Sequence, residues 1–271
     1  MEFLARRTAV ITGAASGIGL GLAHACASAG MRVALLDIQR ASLQRAEREL
    51  GKTGAEVFAV VTDVSDAASV ESACVAVHER FGKVHLLANN AGVAIHGLPI
   101  AEVPLADWDR AIAVNLMSVV HGVRSFLPRM RGHGEAGHIL NTASIGGLQV
   151  RPGLNGGAYS ATKYAVVAIS ESLRNELAGT NIGVSVLCPG AVRTGLARVD
   201  AARPERFGAA NAETVSELLG AVLERGADPA AIGELALRAV REGRFFVVTH
   251  PEQREWIAAR HAELMEAFGH A

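Results

Sequence analysis

A short apolar run, Thr8-Ala9-Val10-Ile11, leads straight into Thr12-Gly13-Ala14-Ala15-Ser16-Gly17-Ile18-Gly19, and a helical pattern through Leu20, Leu22, Ala23 and Cys26 follows. A strand, a glycine turn and a helix in that order build a pocket for a phosphate. Glycines allow the tight turn and let the backbone approach an anion. The helix start then presents unpaired N–H groups at the positive end of its dipole. Three glycines alone would describe many strand-to-helix loops. The next strand, Arg32-Val33-Ala34-Leu35-Leu36, narrows the reading because it runs into Asp37, 18 residues beyond Gly19. A carboxylate at about that spacing binds ribose hydroxyls in dinucleotide-binding units.

The same alternation continues. A helical pattern over Ala41–Leu50 stops at Gly51, and a strand over Val57–Val61 closes on Asp63-Val64. Ser65-Asp66 opens a helix to Phe81, with Gly82 as its stop. Strand Val84–Ala88 leads into Asn89-Asn90-Ala91-Gly92, and a long helix over Asp107–Arg131 should bend or shorten at Pro128. Strand His138–Asn141 ends near Ser144, a glycine-rich loop covers Gly146–Gly157, and helix Ala158–Leu177 precedes strand Gly183–Leu187 and the Pro189-Gly190 turn. Strict alternation implies an α/β fold: one doubly wound parallel sheet with helices on both faces. Residues 191–226 are less regular and read as an insertion over the strands' carboxyl ends, with a helix over Glu213–Glu224. Residues 227–271 carry helix Pro229–Arg241, a last strand Phe245–Val248 and a last helix Glu252–Phe268. No linker or internal repeat divides the chain, so 1–271 is read as one domain.

Composition excludes more than it identifies. The 271 residues are 50% hydrophobic and carry a net charge of −1, so no basic field favours nucleic acid. No uninterrupted apolar run approaches the ~20 residues of a membrane span, and no leader is expected at the start. Cys26, Cys74 and Cys188 are widely spaced in apolar surroundings, as expected of reduced thiols in the cytoplasm. The ten histidines show no metal spacing, so no metal is expected.

Only three of the 26 basic residues are lysines, at 52, 83 and 163, and the two tyrosines are 159 and 164. Tyr159 and Lys163, four apart on a predicted helix, share a face. A phenol titrates near ~10, and a nearby ammonium favours its ionised form. That pairing makes Tyr159 a candidate acid/base for an alcohol oxygen, with Ser144 at the preceding strand end able to hold the same oxygen. The alternative is an ordinary exposed helix pair.

Together Thr12–Gly19, Asp63-Val64, Asn89-Asn90-Ala91-Gly92, Asn115, Ser144, Tyr159-Ser160-Ala161-Thr162-Lys163 and Pro189-Gly190 resemble a classical short-chain dehydrogenase/reductase over about 190 residues. The resemblance implies a Rossmann-type fold and hydride transfer between a nicotinamide and a carbon bearing oxygen. It implies that Tyr159 exchanges the substrate proton, that Lys163 binds the nicotinamide ribose and lowers the tyrosine's pKa, and that Ser144 polarises the carbonyl. Asn115 would serve a water relay to Lys163. Gly13, Ser16, Gly17, Ile18 and Gly19 would line the pyrophosphate, Asp63 and Val64 the adenine, and Asn90 the adjacent ribose. Pro189 and Gly190 would face the nicotinamide, with Thr194 reaching its amide or the diphosphate.

Asp37 favours NAD over NADP, because a 2′-phosphate there would meet a carboxylate; Arg40 nearby works the other way. The resemblance implies a small alcohol or ketone as substrate, and the pocket is expected from Ala94, Ile95, His96, Ile145–Leu154 and the 191–226 insertion. That lining is mostly apolar and suits a hydrophobic secondary alcohol or ketone, with Arg151 or Arg193 available to an anionic group. Pro128-Arg129-Met130, Gly137-His138-Ile139, Arg203–Gly208 and His250-Pro251-Glu252 are similar to the branch that includes aryl-alcohol dehydrogenases acting on lignin-derived β-aryl ethers. One departure stands out: 14 residues separate Ser144 from Tyr159, more than the family usually has. The resemblance also implies a homotetramer or homodimer through the helices at 107–131 and 158–178. An NAD-binding regulator without turnover, or an NAD-retaining epimerase or dehydratase, are the competing readings.

Overall fold

Seven strands are laid side by side: β1 (Thr8–Thr12), β2 (Arg32–Asp37), β3 (Val57–Val61), β4 (Leu86–Asn89), β5 (Gly137–Thr142), β6 (Ile182–Cys188) and β7 (Phe246–Val248). The computed structural model describes residues 4–196, 203–209 and 217–270. All pairings are parallel, in the order β3-β2-β1-β4-β5-β6-β7. The winding reverses between β1 and β4, and that reversal opens a crevice at their carboxyl ends, where ligands bind in such sheets.

The strand residues are apolar on both faces, as a parallel sheet covered twice requires. Ala9, Ile11, Val33 and Leu35 point to one side, where they pack with α1 (Gly17–Ser28), α2 (Arg40–Gly51) and α8 (Pro229–Glu242). Val10, Ala34 and Leu36 point to the other, towards α3 (Ala67–Phe81), α5 (Ser118–Gly132) and α6 (Gly157–Glu176). Asp66 caps α3 by accepting from the Ala68 N–H, and Asp228 caps α8 from Ala230.

The long helix differs from expectation. It starts earlier, as α4 (Leu105–Ala111), passes through a π-helical segment at Ile112–Met117, and continues as α5 beyond Pro128 to Gly132. Burial of Phe126, Leu127 and Met130 on either side of the proline outweighs its missing N–H. By length and composition alone this 28-residue helix could cross a membrane; here it packs against the sheet, α3 and α6. The helix expected from Glu213 is described as α7 (Glu217–Glu224), residues 213–216 lying outside the described residues. The last helix, α9 (Arg254–Ala267), has no buried residue.

Helices α1 and α8 meet backbone to backbone. A Cβ at Gly233 would stand 2.3 Å from the Gly21 carbonyl carbon, and one at Gly21 would stand 2.2 Å from the Pro229 oxygen. The C-terminal helix thereby braces the helix that opens from the glycine turn. Gly233→Ala is expected to cost about 1–3 kcal/mol through overpacking, seen as a Tm drop of several degrees in calorimetry.

Candidate active site

The crevice is a cleft of about 390 Å³ running from Asp37 to Tyr159. At one end the glycine turn supplies Gly13, Ser16, Gly17 and Ile18 to its wall. Gly13 and Gly17 hold φ of 66° and 55°, in the left-handed region that glycine enters without strain. Gly19 does not line the cleft. It sits behind the turn, where a Cβ would lie 2.2 Å from the Gly13 oxygen, so it sets the approach of α1 instead.

Asp37 is buried, and its two carboxylate oxygens accept the Ala15 and Gln39 N–H groups at 3.0 and 2.9 Å. Burial raises its pKa, and these backbone donors offset part of the rise. Asp63 and Val64 line the same end. The Asp63 carboxylate is paired from outside the expected set, with an Arg206 Nη at 2.7 Å from Oδ2. Burial pushes Asp63 up, but hydrogen bonds from Ser65 and Arg206 outweigh it and hold the carboxyl below its usual range. Asn90 ties the turn to β4: its N–H donates to the Thr12 hydroxyl at 2.9 Å and its amide to the Thr12 carbonyl at 3.0 Å.

At the other end Tyr159 and Lys163 project from the first turns of α6. Lys163 is buried and Tyr159 half-buried, and Lys163 Nζ lies 5.7 Å from the phenol ring centre and donates to the Thr142 carbonyl at 2.9 Å. Ser144, at the carboxyl end of β5, hydrogen-bonds the phenol. The longer Ser144–Tyr159 connection thus still brings serine and tyrosine together. It does so through a 3-10 turn at Ile145–Gly147, pressed so closely on α6 that a Cβ at Gly147 would lie 2.6 Å from the Lys163 oxygen.

Burial pushes the Tyr159 phenol up, with the Ser144 hydrogen bond acting against it, while burial pushes the Lys163 amine down to about 8. Below that pH the amine is a cation close to the phenol ring.

The Asn115 side chain is held within the protein. Its buried amide is spent on protein: Oδ1 accepts the Val93 N–H at 2.8 Å, and Nδ2 donates to the Val93 carbonyl at 3.0 Å and the Thr162 hydroxyl at 3.2 Å. It lies in the π-helical segment, a deviation that often marks functional positions. Pro189 and Gly190 line the cleft, and Gly190 is held by His250, which accepts its N–H at Nδ1 (3.1 Å) and bonds the Ala191 carbonyl through Nε2 (3.0 Å). Thr194 lines the cleft with its methyl against Gly17. His250 and Arg206 were not singled out from the sequence as site residues; neither sits in a local pattern with the residue it holds.

The expected substrate wall is met in part. Val192, Thr194, Gly195, Leu196, Pro204 and Leu223 of the insertion line the cleft, whereas 94–96 and 145–154 do not. Residues 197–202 and 210–216 lie outside the described residues. Arg151 stacks on Trp256 at 4.6 Å and Arg193 faces Asp228 at 3.9 Å, so both point to other partners than a substrate.

The family model of the short chain dehydrogenases matches residues 7–204. The chain is a short chain dehydrogenase. It is 35% identical to a CLA biosynthesis dehydrogenase/reductase of Lactiplantibacillus plantarum, over 92% of this chain and 90% of that one. It is 32% identical to a C alpha-dehydrogenase of Sphingobium sp. strain SYK-6, over 92% of this chain and 82% of the relative. A crystal structure of a short chain dehydrogenase/reductase from Burkholderia phymatum in complex with NAD superposes with a TM-score of 0.93 at 40% identity, covering 98% of this chain and 96% of that one.

In this dehydrogenase the described part of the insertion is strapped down at two points. Arg203 forms a buried ion pair with Asp107 of α4 at 2.6 Å and donates to the Phe207 and Gly208 carbonyls, while Arg206 reaches Asp63. Breaking a buried pair from one side leaves a charge uncompensated. Asp107→Asn is expected to cost about 3 kcal/mol in urea unfolding and to speed tryptic cleavage at Arg206.

Proposed function

We propose that this short chain dehydrogenase uses NAD to interconvert a hydrophobic, aromatic secondary alcohol and its ketone. The observation that carries the reading is one buried cleft with Tyr159, Ser144 and Lys163 at one end and Asp37 at the other. The NAD complex of the Burkholderia phymatum relative supports the cofactor, and the likeness to a C alpha-dehydrogenase supports a dehydrogenase reaction.

NAD, when bound, supplies the hydride acceptor. Gly13, Ser16, Gly17 and Ile18 would hold its pyrophosphate, Asp63 and Val64 its adenine, Asn90 and Asp37 the adenosine ribose region. Lys163 would hold the nicotinamide ribose, with Pro189, Gly190 and Thr194 against the nicotinamide end. In alcohol oxidation the Ser144 hydroxyl would donate to the substrate oxygen, and the Tyr159 oxygen, ionised beside the Lys163 ammonium, would take the hydroxyl proton as the carbonyl forms. Below about pH 8 the Lys163 ammonium keeps its proton and stabilises negative charge on the phenol oxygen during that transfer. Asn115 acts as a positioning residue, fixing Val93 and Thr162 on either side of Lys163. Reduction runs the same steps backwards. Val192, Leu196 and Leu223 offer an apolar wall for the substrate's ring.

The three buried, unpaired thiols fit a reducing cytoplasmic setting. Ile112 and Met117, exposed on the long helix, suit pairing with a second copy in a homodimer or homotetramer.

Tyr159→Phe is expected to lower kcat for aromatic alcohol oxidation by about a hundredfold or more while NAD affinity, read by fluorescence titration, stays within about twofold. A parental rate in that variant would overturn the mechanism and favour a protein that binds the nucleotide without this chemistry. Asp37→Ser removes the carboxylate that would face a 2′-phosphate. Its ratio of kcat/KM for NADP over NAD should rise by about tenfold or more, measured by steady-state kinetics with both coenzymes.

A further inference from the structure

The additional length between Ser144 and Tyr159 is used for something other than joining them. Its last part is stitched to the segment that follows β4. The Gly97 N–H donates to the Leu154 carbonyl at 3.4 Å, and the Asn155 amide donates to the Gly97 carbonyl at 3.3 Å. Asn155 takes a left-handed φ of 42° to do so. Between this loop and the catalytic helix lies the ring of His96. A Cβ at Gly156 would stand 2.7 Å from His96 Cδ2 and 2.9 Å from Nε2, so one edge of the imidazole rests on the glycine. The same ring packs on Tyr159, with centres 4.8 Å apart and planes tilted by 43°.

His96 is 8% exposed, and its buried Nδ1 has no hydrogen-bond partner among the described residues. A buried nitrogen without a partner is destabilising, so this residue does not serve stability as well as an aliphatic one would. Nor does it compete with Tyr159 for the substrate proton, since burial lowers it to about 4 and leaves it uncharged at neutral pH. What an imidazole offers here is shape: a flat five-membered ring thin enough to fill the gap between a glycine backbone and a phenol face.

Resting on the acid/base reading of Tyr159 above, we propose that His96 is a positioning residue, wedged by the loop at Gly156 against the Tyr159 ring so that the phenol oxygen stays aligned with Ser144 and the substrate. A small displacement of a reacting group lowers turnover steeply, by up to ~100-fold for about 1 Å.

The test is a double-mutant cycle of His96→Leu and Gly156→Ala. Leucine fills comparable volume without a flat face and without an unpaired nitrogen. Gly156 has φ −100°, which alanine adopts freely, so the second change only pushes a methyl into the ring. Each single variant is expected to lower kcat by about tenfold, with substrate KM and NAD Kd within about twofold and with the Tm of His96→Leu unchanged or higher. The double variant should be no worse than the poorer single one, because both changes break the same contact. Parental kcat in His96→Leu, or losses that multiply in the double variant, would overturn the proposal while Tyr159→Phe remained inactive. An active Tyr159→Phe would instead remove the acid/base reading and this inference with it.

Discussion

Desolvation of one tyrosine and one lysine on adjacent turns of α6 is the constraint around which the rest of the site is arranged. Water would hold Lys163 charged far into the alkaline range and leave Tyr159 an ordinary phenol. Inside the protein the amine falls to about 8 and the phenol rises. Every polar group nearby then matters. Thr142 accepts from the amine, Ser144 bonds the phenol, and Asn115 fixes the backbone that passes between the helix and the cleft. Buried polar groups with fully used hydrogen bonds are rigid, and rigidity is what a proton transfer at a fixed oxygen requires.

The scaffold holds that arrangement from a distance. The reversal of winding between β1 and β4 creates the crevice, and Asn90 closes its floor onto Thr12. The far C-terminal part contributes through contact instead of chemistry. α8 braces α1 through Gly21 and Gly233, and His250, just past β7, pins the Pro189-Gly190 turn from behind. Arg203 and Arg206 strap part of the insertion to α4 and to Asp63, so one wall of the cleft is made from three separate stretches of chain.

Much of this was legible in the residue order. The period-two alternation is hidden in parallel strands, yet apolar runs bounded by glycine and acid residues located all seven, with ends within about two residues. Of the expected site residues, Gly19 and Asn115 are the two that do not line the cleft; the others do. Long-range contacts decide the rest. Pro128 did not shorten its helix, because Phe126 and Met130 are buried on either side of it. The Asn115 amide bonds Val93 and Thr162, partners 22 and 47 residues away in the chain. Local propensity and spacing carry no information about such partners.

The sequence by itself determined what depends on neighbours a few residues apart: the parallel α/β sheet, the glycine turn with Asp37 beyond it, and a tyrosine and lysine sharing a helix face. Only the tertiary structure decided what depends on depth and long-range contact. It showed that burial lowers the lysine and raises the tyrosine, that a longer loop ends against His96, and that Arg206 and His250 reach the site. Solvation energy is a property of the enclosing volume, and a linear pattern of side chains does not specify which of them lose their water.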